Sequence, residues 1–306
     1  MVTLLLVIVG LVVFEVVNSV DNAIVNAHML RTMSARARRW FLIWGILTAV
    51  VLVRGLLPLL IVWIATPGIS ILQAIQATFG ADPIAKSAMD ASAHILLVAG
   101  GMFLLLLYLH WLFLEKKDPF FVPDKLVKQQ YGIWFFALAA ILLVMVLWFA
   151  RESPLAMLGA AVGNAVFFIL YGFREQAERQ GHAFKTTGAS DLSKFLFLEV
   201  LDTSFSIDGV IGAFAFTTNV LLIFIGNGIG ALVVRDLTIR GIETVAKYRW
   251  LKNGAMTSIG FLGAFMILKS FGVHIPEWLP TITTVGMVGF TFYVSHRDLK
   301  KNGAAN

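Results

Sequence analysis

Five side chains in the stretch EVVNSVDNAIVNAHML (residues 15–30) carry chemistry that an apolar segment has no obvious use for: Glu15, Asn18, Asp21, Asn22 and Asn26, with the hydroxyl of Ser19 between them. A second cluster, LDTSFSIDGVIGAF (201–214), lines up with FEVVNSVDNAIVNA (14–27) at a constant offset of 187. Glu15 then matches Asp202, Ser19 matches Ser206, Asp21 matches Asp208 and Asn22 matches Gly209, while Glu199 stands one turn before Asp202. A carboxylate in hydrocarbon costs roughly 3 kcal/mol or more, so these acids must face something that binds them. Carboxylate, amide and hydroxyl oxygens suit a hard cation or a proton. The chain has no Cys, which removes thiolate metal sites, disulfides and Cys nucleophiles together.

Arg54 and Arg235, each inside an apolar run, are the expected counter-ions, one to each half. Counted from the ends of their segments, Glu15 and Arg54 share a depth of about 21 Å. On a helical wheel Asn18, Ser19, Asn22 and Asn26 fall within about 60° of Glu15, whereas Asp21 stands about 120° away. A helix break near Asn22 and Gly209 would bring all the acids into one cavity, as discontinuous helices do in transporters. A third cluster is Asp90 and His94, four residues apart on one face, followed by Gly100 and Gly101, which permit close helix approach.

The elements that must position these groups cross a membrane. The chain is 58% hydrophobic and 14% charged with mean hydropathy +0.84, against about 25% charged in soluble domains. The pattern predicts an all-α integral membrane protein with nine spans, at 2–29, 40–64, 86–114, 131–150, 154–173, 193–218, 220–246, 254–272 and 281–295. Ile71, Leu72, Ile75 and Phe79 make one face of a helix lying in the interface. Eighteen of the 24 basic residues fall in connections on one side of this arrangement, which places the N-terminus outside and the C-terminus in the cytoplasm. The first apolar run lacks a basic leader and is expected to stay as a span. His28, His110 and His274 read as interfacial, and Trp40, Trp111, Trp148 and Trp278 as an aromatic belt. The basic residues sit in short separate loops, so nucleic acid is not an expected partner.

One membrane domain (1–306) is expected: a first repeat over about 1–66, connecting helices over 67–192, a second repeat over about 193–272, and a last helix and tail over 273–306. Five spans separate the two copies, so they cross in opposite directions. Inverted repeats of this kind build secondary transporters, with sites at mid-bilayer where the halves meet.

EVVNSVDNAIVNA together with LEVLDTSFSIDGVIGAF resembles the TerC family of integral membrane proteins, and HILLVAGGMFLLLLYLHWLF (94–113) looks like the branch with widely separated repeats. The resemblance implies a bacterial inner-membrane protein linked to tellurite resistance and, in some members, manganese(II) export. It carries site roles onto Glu15, Asp21 and Asn22 in the first copy and onto Asp202, Ser206, Asp208 and Gly209 in the second. With the residues, it points to a secondary transporter exporting a divalent cation, Mn²⁺ favoured over Ca²⁺ or Mg²⁺, in exchange for protons. Glu199, Asn18, Ser19, Asp90 and His94 are further candidate ligands. Expected partners are the divalent ion as substrate, protons and the lipid bilayer, with an oligomer left open; no prosthetic group is expected. No Walker-type phosphate loop occurs and nothing points to an enzyme. The alternatives are a membrane adaptor acting through the 174–192 loop, an exporter of another small cation or solute, and an intramembrane aspartyl protease, which lacks its G-x-G-D segment here.

Overall fold

Long runs of Leu, Ala, Val, Ile and Met must bond their backbone groups within the segment when hydrocarbon surrounds them, and this dictates helix. The computed structural model describes residues 2–45, 48–127, 132–186, 190–240, 245 and 247–303, and it is helical with no strand among the described residues. In chain order the helices are α1 (Val2–Asn18), α2 (Val20–Arg31), α3 (Ala35–Trp40), two π-helical segments (Phe41–Gly45 and Thr48–Leu56), α4 (Leu57–Ala65), α5 (Ile71–Thr78), α6 (Pro83–Leu114), α7 (Val122–Leu126), α8 (Ile133–Phe149), α9 (Pro154–Thr186), α10 (Asp191–Ala213), α11 (Val220–Arg240), α12 (Leu251–Ser270) and α13 (Trp278–Gly303).

Four described helices are long and apolar enough to cross a membrane: α6, residues 154–176 of α9, 220–239 of α11, and α12. Helices α1 and α2 make a fifth span if taken as one, bent by 48° at Ser19. The expected nine is not borne out. The second expected span is divided among α3, the π segments and α4. The sixth, α10, carries Asp191, Lys194, Glu199, Asp202 and Asp208, too much charge for an apolar span. The stretch 133–149 is apolar but short. The ninth lies in α13, whose last turns are polar. The start of the fourth expected span at 131, most of the end of the seventh beyond 240, and Lys128 lie outside the described residues. Helix α9 also continues to Thr186, into the expected 174–192 loop, because its Arg, Glu, Gln and Ala are good helix formers.

Helix α6 is the axis, packed against α9 and α12. A Cβ on Gly101 would stand 2.9 Å from the Gly263 carbonyl oxygen, so only glycine lets α6 and α12 approach this closely. Met102, Leu104, Leu106 and Trp111 are fully buried along it. Trp111 is therefore not a belt residue; its ring fills the core, with Lys117 5.3 Å from its centroid. Trp40, Trp148 and Trp278 are exposed, as belt residues should be. Helix α5 is amphipathic as expected: Ala74 and Ala77 are buried, while Ile71, Leu72, Ile75 and Phe79 face outward, and a Ser70–Gln73 capping box starts it. Elements of the two sequence repeats interleave around the site, with α1 against α10 and α11, and the second π segment against the same pair.

Candidate ion-binding site

Among the described residues Glu15 is the most buried acid, 1% exposed. Its Oε1 accepts from Ser19 Oγ at 2.9 Å, Arg54 Nε at 3.0 Å and Arg54 Nη2 at 2.5 Å. The expected pair of the first half is thus formed and fully enclosed. Arg54 reaches Glu15 from the second π segment. Pro58 explains the wide winding there: it has no N–H to offer the Arg54 carbonyl four residues back, and its ring crowds that oxygen. The second half is not the mirror of the first. Asp202 accepts from Asn22 Nδ2, while Arg235 donates to the Phe41 carbonyl at 2.5 Å and lies 4.5 Å from the centre of that ring. Ser19, Asn22, Asn26, Arg54, Asp202, Arg235 and Thr238 line one cavity of about 30 Å³, room for one or two water molecules. Both copies and both expected counter-ions meet there.

Asp21 and Asp208 are not in that chamber. Asp21 pairs with Lys252 at 2.6 Å. Asp208 pairs with Arg174 at 2.7 Å. For Asp21 the 120° offset from Glu15 explains this, because the bend at Ser19 between α1 and α2 does not cancel it and the two acids address different cavities. The helix break occurs at Ser19, three residues earlier than expected, and α10 runs unbroken through Gly209. Gly209 serves another need: an added Cβ would collide with Glu15 Oε2. Its missing side chain lets α10 lie against the acid.

Several buried acceptor oxygens have no protein donor: Glu15 Oε2, Glu199 Oε1, Asp208 Oδ1, Asn22 Oδ1 and Asn26 Oδ1. Asn22 is oriented by its bond to Asp202, so its oxygen is an acceptor rather than a misassigned amide. Such groups are costly in a low-dielectric interior unless a cation, proton or water satisfies them. Ser206 Oγ is also buried and unpartnered. Asn18 is half-buried beside Gly209. Asp90 and His94 lie elsewhere. Asp90 is exposed and lines a separate cavity of about 290 Å³, and His94 Nδ1 is 2.9 Å from the Ala91 carbonyl. Among the described residues no three His, Asp or Glu side chains stand at metal-binding spacing, so a metal ion here would draw on the amide and hydroxyl oxygens as well.

Sequence reading missed Arg174 and Lys252, assigned to loops, and Asn227, which is fully buried and donates to the Gly209 carbonyl at 3.3 Å. It also missed Glu115, 2.6 Å from the same Lys252 ammonium that holds Asp21. His110 is not interfacial; it packs on Tyr171 at 4.6 Å and stands 3.6 Å from Glu115. Glu115 lies just beyond the end of α6. Burial works to raise its pKa, but the hydrogen bond with His110 and the Lys252 ammonium outweigh this and hold it at about 2. Only its place at the very end of the apolar run could have suggested Arg174: a long side chain directly following such a run can reach back alongside it.

A family model described as "Protein of unknown function (DUF475)" matches residues 20–302, nearly the whole chain, with the second acidic signature inside the match and the first entering it after Ser19, so that Asp21, Asn22 and Asn26 are covered and Glu15 is not. The chain belongs to the DUF475 family. This overturns the TerC resemblance, for which no family match exists. The residues that carried it, acids and small residues inside apolar helices, recur wherever a buried carboxylate must be approached closely, and they do not define one family. The DUF475 chain is also similar to the uncharacterized membrane protein YceF of Bacillus subtilis (strain 168), 25% identical over 104 residues. That alignment covers 34% of this chain and 40% of YceF, so the chain spans about two-fifths of the relative's length. No solved structure matches it. The four described helices long and apolar enough to cross a membrane, beside a relative itself named a membrane protein, make the DUF475 chain a membrane protein.

Proposed function

We propose that the protein is a secondary transporter that moves a small hard cation across the membrane in exchange for protons, with Glu15, Asp202 and Asp208 as the groups that alternate between the two. The single observation carrying this reading is the set of buried carboxylate oxygens, Glu15 Oε2, Glu199 Oε1 and Asp208 Oδ1, without a protein donor. Leaving a second buried carboxylate oxygen without a donor is costly, and a bound cation, proton or water removes that cost. Arg54 neutralises one charge on Glu15 and leaves its second oxygen for a ligand. Oxygen-only donors and the absence of thiols favour Na⁺, Mg²⁺, Ca²⁺ or Mn²⁺ over soft metals. A specific preference for manganese loses its basis with the TerC resemblance and is not part of the proposal. The alternating-access logic of repeats meeting at mid-membrane supports the reading, as does the convergence of α2, the second π segment, α10 and α11 on one chamber.

The test is purified protein in liposomes holding a pH-sensitive dye, challenged in turn with Na⁺, Mg²⁺, Ca²⁺ and Mn²⁺. One cation should produce a pH change that the Glu15→Gln variant abolishes. No pH or cation flux with any of the four, or flux that survives Glu15→Gln unchanged, would overturn the proposal and favour the adaptor reading.

A further inference from the structure

Two cavities bear on how Glu15 communicates with solvent. One, of about 580 Å³, is lined by Asp21, Glu115, Arg174, Lys252, Phe103 and Tyr171 among others. Another, of about 290 Å³, is lined by Lys86, Asp90, Thr217, Asn219 and Glu277 together with Leu4 and Val7. Helix α6 contributes His110 to the first and Asp90 to the second. Twenty residues apart on one straight helix is about 30 Å, the thickness of a hydrocarbon core. The two cavities therefore open at opposite ends of the molecule, and Glu15 lies between them.

The two routes to Glu15 differ in chemistry. From the smaller cavity the path along α1 passes from Val7 to Glu15, about 12 Å, and this interval is dry. Leu11 and Ile223 are fully buried, and Phe14 packs on Phe216 with ring centroids 5.6 Å apart. A Cβ on Gly212 would collide with the Phe14 ring, so α10 presses that ring into place. A buried hydroxyl in this layer, that of Thr281 against Gly10, is occupied in donating to the Leu6 carbonyl at 3.2 Å. From the larger cavity charged side chains lead inward. Arg174 lines it and holds Asp208 at 2.7 Å, and the residue after Asp208 is the glycine lying against Glu15 Oε2.

We infer that the large cavity is the cytoplasmic vestibule through which the buried carboxylates exchange protons and hydrated cations with solvent, and that Leu11, Phe14 and Phe216 form the seal on the opposite side. The inference rests on the transport reading for the identity of what passes, and on geometry alone for the path. The basic residues of the vestibule rim, Lys116, Arg174 and Lys252, place it on the cytoplasmic side by the distribution of positive charge.

The natural chain has no cysteine, so single introduced thiols report access without background. Val25→Cys (vestibule), Ala93→Cys (opposite cavity) and Leu11→Cys (seal) are treated with a membrane-impermeant thiosulfonate in right-side-out and inside-out vesicles. Val25→Cys should react only from the cytoplasmic side and Ala93→Cys only from the outside, with Leu11→Cys at least about tenfold slower than either from both sides. Adding Phe216→Ala should make Leu11→Cys reactive from the Ala93 side. Labelling of Val25→Cys and Ala93→Cys from the same side, or fast labelling of Leu11→Cys in an intact seal, would overturn the inference; the Val25 and Ala93 pair decides it even if the Leu11 variant does not fold. The expected labelling without any cation flux would leave the path standing and remove the transport reading, whereas flux with same-sided labelling would remove the path alone.

Discussion

Removing Arg54 should expose how much of the stability rests on one enclosed charge pair. Arg54 gives Glu15 two of its three hydrogen bonds, and both side chains are at most 4% exposed. Arg54→Met keeps the stem and removes the charge, leaving a carboxylate with Ser19 Oγ as its remaining donor. Breaking one partner of a buried pair costs about 3–5 kcal/mol, because the other charge stays buried and uncompensated. For a chain of this size that corresponds to a fall in melting temperature of roughly 6–20 °C. Glu15→Gln beside Arg54→Met removes the stranded charge, and the double variant should regain most of the loss. The recovery falls short of complete because Asp202 also faces Arg54 across the chamber. Thermal unfolding of the four proteins in one detergent, followed by tryptophan fluorescence, gives the coupling directly. It should be at least about 2 kcal/mol. Losses that simply add, with coupling near zero, would refute the reasoning and mean that solvent reaches Glu15.

Gly209→Ala should destabilise by about 1–3 kcal/mol, since its methyl group collides with a carboxylate already fixed by three hydrogen bonds; an unchanged melting temperature would show that α10 can move away. Asp124, buried, accepts from the Phe120 and Phe121 amides at 3.1 Å each and from Asn253 Nδ2 at 2.7 Å. Asp124→Ala strands three donors and should cost about 2–4 kcal/mol, with Asp124→Asn losing less, both read by chemical denaturation in mixed micelles. Glu115 has its folded pKa at about 2, below its ordinary 4.5, so its contribution is present above pH 4.5 and lost as pH falls from there towards 2. A melting temperature flat across that window, or one that falls equally in a Glu115→Gln variant, would count against the Glu115–Lys252 clamp.

The sequence made part of this legible because burial imposes strict local rules. Glu15 inside an apolar run required a cation at its own depth, and Arg54 was the base that the count from the segment ends supplied. The outward face of α5 and the tight approach at Gly101 followed in the same way from spacing and side-chain size. Asp208 shows where such reasoning stopped. With Arg54 and Arg235 assigned, it had no obvious in-span base, and its partner Arg174 arrives from the continuation of a helix beyond its apolar part. Which helix lies beside which is a property of packing, and no spacing rule within α10 contains it. Asp21 and Asp208 were expected to share a chamber with Glu15 because a kink was invoked to cancel a 120° offset; the offset was real, and the molecule uses both faces. The nine expected spans are not borne out among the described residues for a related reason. Helix α10 is lined with charge because neighbouring helices, rather than lipid, surround its polar side.

The π-helical winding around Arg54 has a mechanical consequence. A stretch with i→i+5 bonding holds one surplus residue per turn relative to an α-helix, so it is a store of chain that can be released without breaking the helix. Returning it to 3.6 residues per turn rotates whatever follows by about 100° for each residue redistributed. A rotation of that size would carry the guanidinium of Arg54 away from Glu15. The acid's counter-charge is therefore held in place by the wide winding itself, as a thread holds a screw at one depth.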